Sequence, residues 1–307
     1  MRILLLGAQG QLGQALQTQL AGSGELVALG RQQLDVADLP RLREELRRLQ
    51  PQLIVNAAAY TAVDRAESDT ANAWRINAEA PGVLAEEARA SGALLIHYST
   101  DYVFNGLQAA PYREEDTCAP LNEYGRSKLA GEQAIAAAGG AHLILRTSWV
   151  YSRVGGNFLL TMLRLLQERD ELRVVADQIG APTWTHSLAQ ASAAMVEAWQ
   201  AGRAGPWGRY HMTARGETSW FGFASAIADY LKAQRLPCAR LLPIRSEEYP
   251  TAAQRPANSL LDGSKLRNHW GLELEHWQSA LRACLDDHSP ERGSTEGGCM
   301  RQSCRHS

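Results

Sequence analysis

Short apolar runs alternate with longer amphipathic stretches through the first half of the chain. The apolar runs predict strands at about 2–7, 25–29, 52–57, 93–99 and 142–148. The stretches between them carry apolar residues at helical spacing, which predicts helices near 11–22, 39–49, 69–91 and 122–139. Strands and helices in alternation are typical of a parallel sheet covered by helices on both faces. We therefore predict an α/β fold with a doubly wound parallel sheet.

The alternation changes after Trp149. A double glycine at 155–156 precedes a predicted helix, strand and helix near 158–169, 172–175 and 186–200. We expect a first domain over 1–150, to which later segments return, and a smaller α+β lobe over 151–287 that is interleaved with it. Residues 288–307 contain too few apolar side chains to offset the entropy of ordering, so we expect a disordered tail there.

The composition is that of a soluble globular protein: of 307 residues, 45% are hydrophobic and 21% are charged, and the net charge is −2. The absence of a strong positive excess argues against a nucleic-acid partner. No apolar run approaches the ~18 residues of a membrane-spanning helix, and the chain opens without a signal-peptide pattern, so we expect a cytoplasmic protein with no membrane partner. Five cysteines without a Cys-x-x-Cys pair and eight histidines without ligand spacing predict neither disulfides nor a metal site.

A glycine-rich turn follows the first predicted strand and opens the first helix. Its G-x-x-G-x-x-G spacing allows a tight turn, and the backbone amides of a helix N-terminus face an anion there. A strand, such a turn and a helix in this order predict a Rossmann-type site for the pyrophosphate of a dinucleotide. The contacts expected in this turn are Gly7, Gln9, Gly10, Gln11, Leu12 and Gly13.

The end of the second strand carries an arginine where dinucleotide-binding folds place an acid on the ribose 2′-hydroxyl. Arg31 suits a 2′-phosphate, so we expect NADPH as cofactor, with NADH possible; the alternative is that Arg31 is a solvated surface residue. Asp35 and Val36, a few residues further on, are expected to flank the adenine.

Tyr124 and Lys128 lie at positions i and i+4 of a predicted helix and therefore share one face. A nearby cation lowers the pKa of a phenol from about 10, and reaching ~7 needs about 4 kcal/mol, which Lys128 and an oxidised nicotinamide could together supply. The chain has 28 arginines and only three lysines, so a lysine kept at 128 suggests a compact ammonium that bridges ribose hydroxyls and the phenolate. The alternative is an ordinary surface pair of an aromatic residue and a cation.

The fourth strand ends at Thr100, at the carboxyl edge where open α/β sheets bind ligands. Thr100, Tyr124 and Lys128 then form a set for carbonyl reduction. Thr100 orients and polarises the carbonyl, Tyr124 gives the proton, and the nicotinamide gives hydride. Asn77 either holds a water that links Lys128 to solvent or is an ordinary polar helix residue.

Several segments together resemble one family, the dTDP-4-dehydrorhamnose reductases, extended or atypical members of the short-chain dehydrogenase/reductase superfamily. The resemblance covers about residues 1–287 and is carried by 7–13, 56–64, 99–104, 124–128, 146–151, 156–158, 177–183 and 255–260. It implies NADPH-dependent reduction of the 4-keto group of dTDP-4-dehydro-L-rhamnose to dTDP-L-rhamnose, a precursor of cell-surface polysaccharide. Thr100, Tyr124 and Lys128 would carry catalysis.

The resemblance also implies binding roles for individual residues. The cofactor would run along Ala57, Ala58, Ala59 and Tyr60 and meet Tyr124 and Lys128. The implied substrate contacts are Thr100, Asp101, Tyr102, Val103, Trp149, Asn157 and Arg255. Trp149 would wall the sugar pocket, with core packing as the alternative. Arg255 would meet the substrate diphosphate, or merely cap a loop.

Two other functions stay open at this point. One is a non-catalytic, NADP-binding regulatory subunit resembling that of methionine adenosyltransferase, and the other is a reductase of a different nucleotide-linked keto-sugar. Dehydration is disfavoured, because related dehydratases place a second acid where this chain has Tyr102.

Dimeric members of the resembled family hold a magnesium ion between subunits with acidic side chains. Two of those positions are Ala15 and His186 here, and Mg²⁺ prefers carboxylates. We therefore expect no magnesium ion, a monomer or weak homodimer, and activity that a chelator does not reduce.

Overall fold

The computed structural model describes residues 1–287, so the tail expected at 288–307 lies outside the described residues. The strands of this part of the chain are β1 (Arg2–Leu6), β2 (Glu25–Leu29), β3 (Leu53–Asn56), β4 (Leu94–Thr100), β5 (His142–Thr147), β6 (Val150–Tyr151), β7 (Glu171–Val175), β8 (Ile179–Gly180), β9 (Thr183–Trp184), β10 (Gly208–His211), β11 (Thr218–Ser219) and β12 (Arg240–Ile244). Its α-helices are α1 (Gln11–Leu20), α2 (Leu39–Leu49), α3 (Val63–Ala66), α4 (Thr70–Trp74), α5 (Ala80–Ser91), α6 (Glu123–Ala138), α7 (Phe158–Glu168), α8 (Thr185–Gln200), α9 (Trp220–Ala233), α10 (Ser264–Trp270) and α11 (Trp277–Asp286).

Six parallel strands form the central sheet, in the spatial order β10-β5-β4-β3-β1-β2. β1 and β3 are neighbours, and the chain continues from β1 to β2 on one side and from β3 to β4 on the other, which opens a crevice between the carboxyl ends of β1 and β3. The prediction of a doubly wound, Rossmann-like α/β fold is confirmed.

Two apolar cores cover the two faces of the sheet. One packs α1 and α8 against one face, through Leu16, Leu20 and Leu188. The other packs α2 and α5 against the opposite face, through Leu42 and Leu84. The central strands are buried on both sides, which explains why they read as nearly continuous apolar runs in the sequence.

The helix expected over 69–91 is interrupted by a five-residue π-helical turn, Arg75–Glu79, between α4 and α5. Pro81 has no backbone N–H and cannot donate to the carbonyl of Asn77 four residues earlier. That carbonyl meets α6 instead, where a Cβ on Gly131 would lie 2.1 Å from Asn77 O. Single π-helical turns inside α-helices are rare and often occur at functional sites.

The second half of the chain builds a smaller lobe and also returns to the sheet. Two-stranded pairs β6–β9, β7–β12 and β8–β11 accompany a third core formed by α7, α9 and α11. α8 packs on α1, while β10 adds an edge strand next to β5. The division near residue 150 stays a prediction. Within residues 1–287, no helix combines the length and apolarity that spanning a membrane would require.

Candidate active site

The glycine-rich turn after β1 packs so closely that no side chain would fit at Gly7 or Gly13. Gly7 has φ +77°, in the left-handed region that favours glycine. A Cβ on Gly13 would lie 2.0 Å from the Gly7 carbonyl oxygen, so α1 rests directly on the turn. Gly10 precedes α1 in extended conformation, and no side chain caps this helix N-terminus. Its first amides therefore remain available for an anion.

The segment after β3 lies beside this turn, as expected at the crevice between β1 and β3. A Cβ on Gly7 would lie 2.6 Å from the backbone nitrogen of Ala58. The turn, Ala57 and Ala59 line two adjoining cavities, one of about 350 Å³ and one of about 570 Å³. Together these cavities form a groove along the carboxyl edge of the sheet.

The smaller cavity includes the residues expected at the adenosine end of a cofactor. Arg31, Asp35, Val36 and Tyr60 all line it. The Arg31 side chain is 79% exposed, and its Nε lies 3.1 Å from Oδ2 of Asp35. The guanidinium is therefore held at the rim of the cavity with most of its donors facing solvent.

The π-helical turn places Asn77 against the loop that carries Tyr60. Asn77 Oδ1 accepts the Tyr60 N–H at 2.9 Å, and its Nδ2 donates to Tyr60 O at 3.0 Å and to Ser127 Oγ at 3.1 Å. The Tyr60 hydroxyl donates to Asp69 at 2.9 Å. Asn77 thus braces the Tyr60 loop against α6, a contact that the sequence analysis did not foresee.

Thr100 and Tyr124 approach each other across the larger cavity. Thr100 ends β4 and caps a 3₁₀ turn, Asp101–Val103, with its Oγ1 accepting the Tyr102 N–H at 3.2 Å. α6 comes close to this turn because Gly125 lacks a side chain; a Cβ there would lie 2.2 Å from Tyr102 O. The turn and α6 therefore bring Thr100 close enough to the Tyr124 hydroxyl to influence its pKa.

Lys128 is buried one helical turn beyond Tyr124 and lines the same cavity. Its Nζ donates to Tyr98 O at 2.6 Å and lies 3.2 Å from Nε2 of His97. Burial lowers the pKa of Lys128 to about 8, with the carboxylate of Glu132 opposing that shift. The side chain is thus held by the β4 backbone.

Burial raises the pKa of Tyr124 to about 12, and the nearby Thr100 hydroxyl offsets this only in part. The expectation that Lys128 and an oxidised nicotinamide together lower the Tyr124 pKa stays a prediction; in the structure, Lys128 donates to Tyr98 O. A raised pKa keeps the phenol protonated at neutral pH, which is the form that a proton donor needs.

Two stacked tryptophans form one wall of the larger cavity. The rings of Trp149 and Trp220 lie 3.6 Å apart at an angle of 5°, and both residues line the cavity. Trp149 has φ +46°, a strained conformation for a non-glycine residue. It lies over Gly180, where a Cβ would come within 2.4 Å of its ring. Trp220 was not foreseen, because nothing in the local sequence marks it.

Of the remaining residues expected to contact substrate, three line the larger cavity and two do not. Asp101, Tyr102 and Asn157 line the larger cavity, and Asn157 also donates to Gln11 Oε1 at 2.8 Å. Arg255 forms a two-point ion pair with Asp64, at 3.1 and 2.6 Å, and does not line the cavity.

Val103 does not reach the cavity. It is fully buried in a separate core with Phe104 and Tyr112, because the 3₁₀ turn directs it inward. The structure thus corrects its expected place on the cavity wall.

No group of three or more histidine, cysteine, aspartate or glutamate side chains within residues 1–287 is arranged to hold a metal ion. Ala15 lies in α1. His186 lies in α8, which packs against α1, and its ring stacks on Trp184 at the end of β9. The expectation about magnesium remains a prediction.

Comparisons with known proteins point to one family. The family model described as the RmlD substrate binding domain matches residues 1–289. The dTDP-4-dehydrorhamnose reductase of Burkholderia thailandensis is 47% identical, covering 94% of this chain and 99% of the relative. The enzyme of the same name from Escherichia coli K12 is 42% identical, covering 94% and 98%. A crystal structure of dTDP-4-dehydrorhamnose reductase from Bacillus anthracis in complex with NADP superposes with a TM-score of 0.85 at 35% identity, covering 92% and 98%.

Proposed function

The chain belongs to the RmlD substrate-binding-domain family, and we propose that it reduces the 4-keto group of dTDP-4-dehydro-L-rhamnose to dTDP-L-rhamnose with NADPH. The resemblance drawn from the sequence is confirmed by these matches. The observation that carries the proposal is the convergence of Thr100, Tyr124 and Lys128 on one cavity that adjoins the glycine-rich turn.

The residues along the groove fit a dinucleotide. The close contact between Gly13 and Gly7 leaves room for a pyrophosphate at the uncapped start of α1. Arg31 lies at the rim of the smaller cavity, where its free donors suit a 2′-phosphate. When bound, the reduced nicotinamide supplies the hydride.

The chain's own residues then polarise the carbonyl and supply a proton. Thr100 Oγ1 donates a hydrogen bond to the carbonyl oxygen and fixes its direction. Tyr124 gives its hydroxyl proton to the same oxygen as negative charge develops there. Lys128, which donates to Tyr98 O and lines the same cavity, offsets with its positive charge the charge left on the phenolate.

Tyr102 supports reduction over elimination of water. It occupies the position where related dehydratases carry a second acid, and it packs edge-on against Tyr124 with ring centres 5.6 Å apart. Burial raises the pKa of its phenol. A neutral phenol is a poor general base, so the pair of groups needed for elimination is missing at this turn.

The proposal is tested by following NADPH oxidation with enzymatically generated dTDP-4-dehydro-L-rhamnose and identifying the product. The UDP-linked and dTDP-D-configured keto-sugars serve as controls. We expect turnover that is selective for the first substrate. Selective turnover of a control sugar would instead assign a different keto-sugar reductase. Tight NADPH binding without oxidation of any of these sugars would contradict the proposal and favour a regulatory binding protein.

A further inference from the structure

Asp101 is a buried acid beside the reacting groups, and the proposed chemistry does not yet use it. Asp101 is 2% exposed and lines the same cavity as Thr100 and Tyr124. Its Oδ1 lies 3.0 Å from Thr100 Oγ1. Its Oδ2 is buried without a partner in hydrogen-bond geometry among residues 1–287, although the Ser259 hydroxyl is close enough to influence the carboxyl.

The Thr100 hydroxyl has one hydrogen and two lone pairs. One lone pair accepts the Tyr102 N–H at 3.2 Å. If Asp101 is ionised, its carboxylate accepts the single hydrogen, and Thr100 has none left for a substrate carbonyl. If Asp101 is protonated, its acid proton is donated to the second lone pair, and the Thr100 hydrogen is free.

We propose that Asp101 is a positioning residue that acts in its protonated form, donating to Thr100 Oγ1 so that the Thr100 hydrogen points at the substrate carbonyl oxygen. This inference rests on the proposed function. Every hydrogen-bonding position of the Thr100 hydroxyl is then used: two are filled by Tyr102 N–H and Asp101, and the third by the substrate. Asp101 keeps its proton throughout, and the proton of the product comes from Tyr124.

The surroundings of Asp101 favour the acid form. Burial raises the pKa of Asp101 to about 7, while the nearby hydroxyls of Ser259 and Thr100 limit the rise. The ionisable side chains that face it are the phenols of Tyr102, on its own turn, and Tyr124, on α6.

No cation forms an ion pair with Asp101 in the described part of the chain. Arg255 and Asp64, the charged groups that act on the neighbouring Tyr102, are paired with each other. The carboxylate therefore gains no nearby positive charge that would compensate its burial.

The test compares the pH dependence of kcat for the wild type and for Asp101→Asn. An asparagine amide donates to Thr100 at every pH, whereas the wild-type donor is lost as pH rises above the Asp101 pKa. We expect the ratio of variant to wild-type kcat to rise by about tenfold per pH unit above pH 7. The titration of Lys128 is common to both proteins and cancels in the ratio. A ratio that does not change with pH would overturn the proposal.

A double-mutant cycle shows whether Asp101 acts through Thr100. In a Thr100→Ala background, we expect Asp101→Asn to leave the shape of the pH profile unchanged. A pH-dependent ratio that persists without the Thr100 hydroxyl would contradict the inference.

Infrared spectroscopy gives a readout that needs neither turnover nor a folded Asp101 variant. We expect the wild-type enzyme to show a carboxylic-acid C=O band at about pH 6 that titrates near pH 7. Burial also raises the pKa of Glu114, so Glu114→Gln identifies that residue's share of the band. If Glu114→Gln removes the whole band, Asp101 is ionised and the inference is wrong. Failure of the proposed function would appear separately, as wild-type protein that oxidises no keto-sugar.

Discussion

Nε2 of His97 lies 3.2 Å from Nζ of Lys128, and the surrounding hydrogen bonds assign a hydrogen to that nitrogen. The Ala58 N–H donates to Asn56 Oδ1 at 3.1 Å, which turns the Asn56 amide nitrogen toward His97 Nδ1 at 3.0 Å. His97 Nδ1 therefore accepts, and its hydrogen is on Nε2. Burial lowers the pKa of Lys128 to about 8, and an N–H on the neighbouring His97 offers the ammonium no acceptor.

This narrow, buried site should reject a guanidinium. We expect Lys128→Arg to lower kcat/KM at least about 100-fold, because Arg is larger and needs more acceptors than Tyr98 O provides. The matched control is Lys232→Arg, at a side chain that is 62% exposed. Steady-state kinetics should show the control unchanged. Equal activity of both variants would show that the compact ammonium is not required.

The contact between Gly13 and Gly7 should be essential for cofactor binding. Gly13→Ala would place a methyl group 2.0 Å from the Gly7 carbonyl oxygen and force the turn apart. We expect NADPH affinity to fall by at least about tenfold in a fluorescence titration. Gly22→Ala is the control, since no atom lies within 4 Å of the added Cβ. Unchanged affinity in Gly13→Ala would mean that this turn does not hold the pyrophosphate.

Much of this architecture could be predicted from the sequence because the central strands are buried on both faces. β1 and β4 contain the apolar runs Ile3–Leu6 and Leu94–Ile96, and the predicted bounds of α2 agree with Leu39–Leu49. Tyr124 and Lys128 follow from helical spacing alone, since a helix fixes which residues share a face.

The features that the sequence analysis missed depend on contacts between distant segments. Trp220 stacks on Trp149 only because the smaller lobe folds back over the sheet edge. Val103 is adjacent in sequence to cavity residues, but the 3₁₀ turn buries it. The hydrogen bond from Lys128 to Tyr98 O depends on how α6 is positioned along β4, which helical spacing does not specify.

Arg31 should determine the preference between the two nicotinamide cofactors. We expect Arg31→Ala to weaken NADPH binding by about tenfold, or ~1.4 kcal/mol, while NADH binding stays the same. Arg41→Ala, at another exposed arginine, controls for a general loss of positive charge. Calorimetric titration of both cofactors measures the difference. An equal loss for NADPH and NADH would show that Arg31 does not contact the 2′-phosphate.

The buried ion pair behind the active site should be required for stability. Glu132 and Arg146 are joined at 2.6 and 2.9 Å with side chains 1% and 0% exposed, and Glu132 also accepts from Ser99, next to Thr100. We expect Glu132→Gln to reduce the free energy of unfolding by about 3–5 kcal/mol, because Arg146 loses its counter-charge.

Urea denaturation measures this loss against Glu168→Gln, which breaks an exposed pair with Arg164. The exposed pair should contribute about 0.5 kcal/mol or less. Similarly small losses of unfolding free energy in both variants would mean that water or another group stabilises the buried charge of Arg146 and would contradict the prediction.

The central claim is that Tyr124 gives the proton during reduction of a nucleotide-linked ketone. The most direct measurement compares NADPH oxidation by the wild type and by Tyr124→Phe with saturating dTDP-4-dehydro-L-rhamnose, together with NADPH affinity. We expect the variant to lose at least about 100-fold in kcat and to bind NADPH nearly as well as the wild type. Full turnover by Tyr124→Phe would contradict the account.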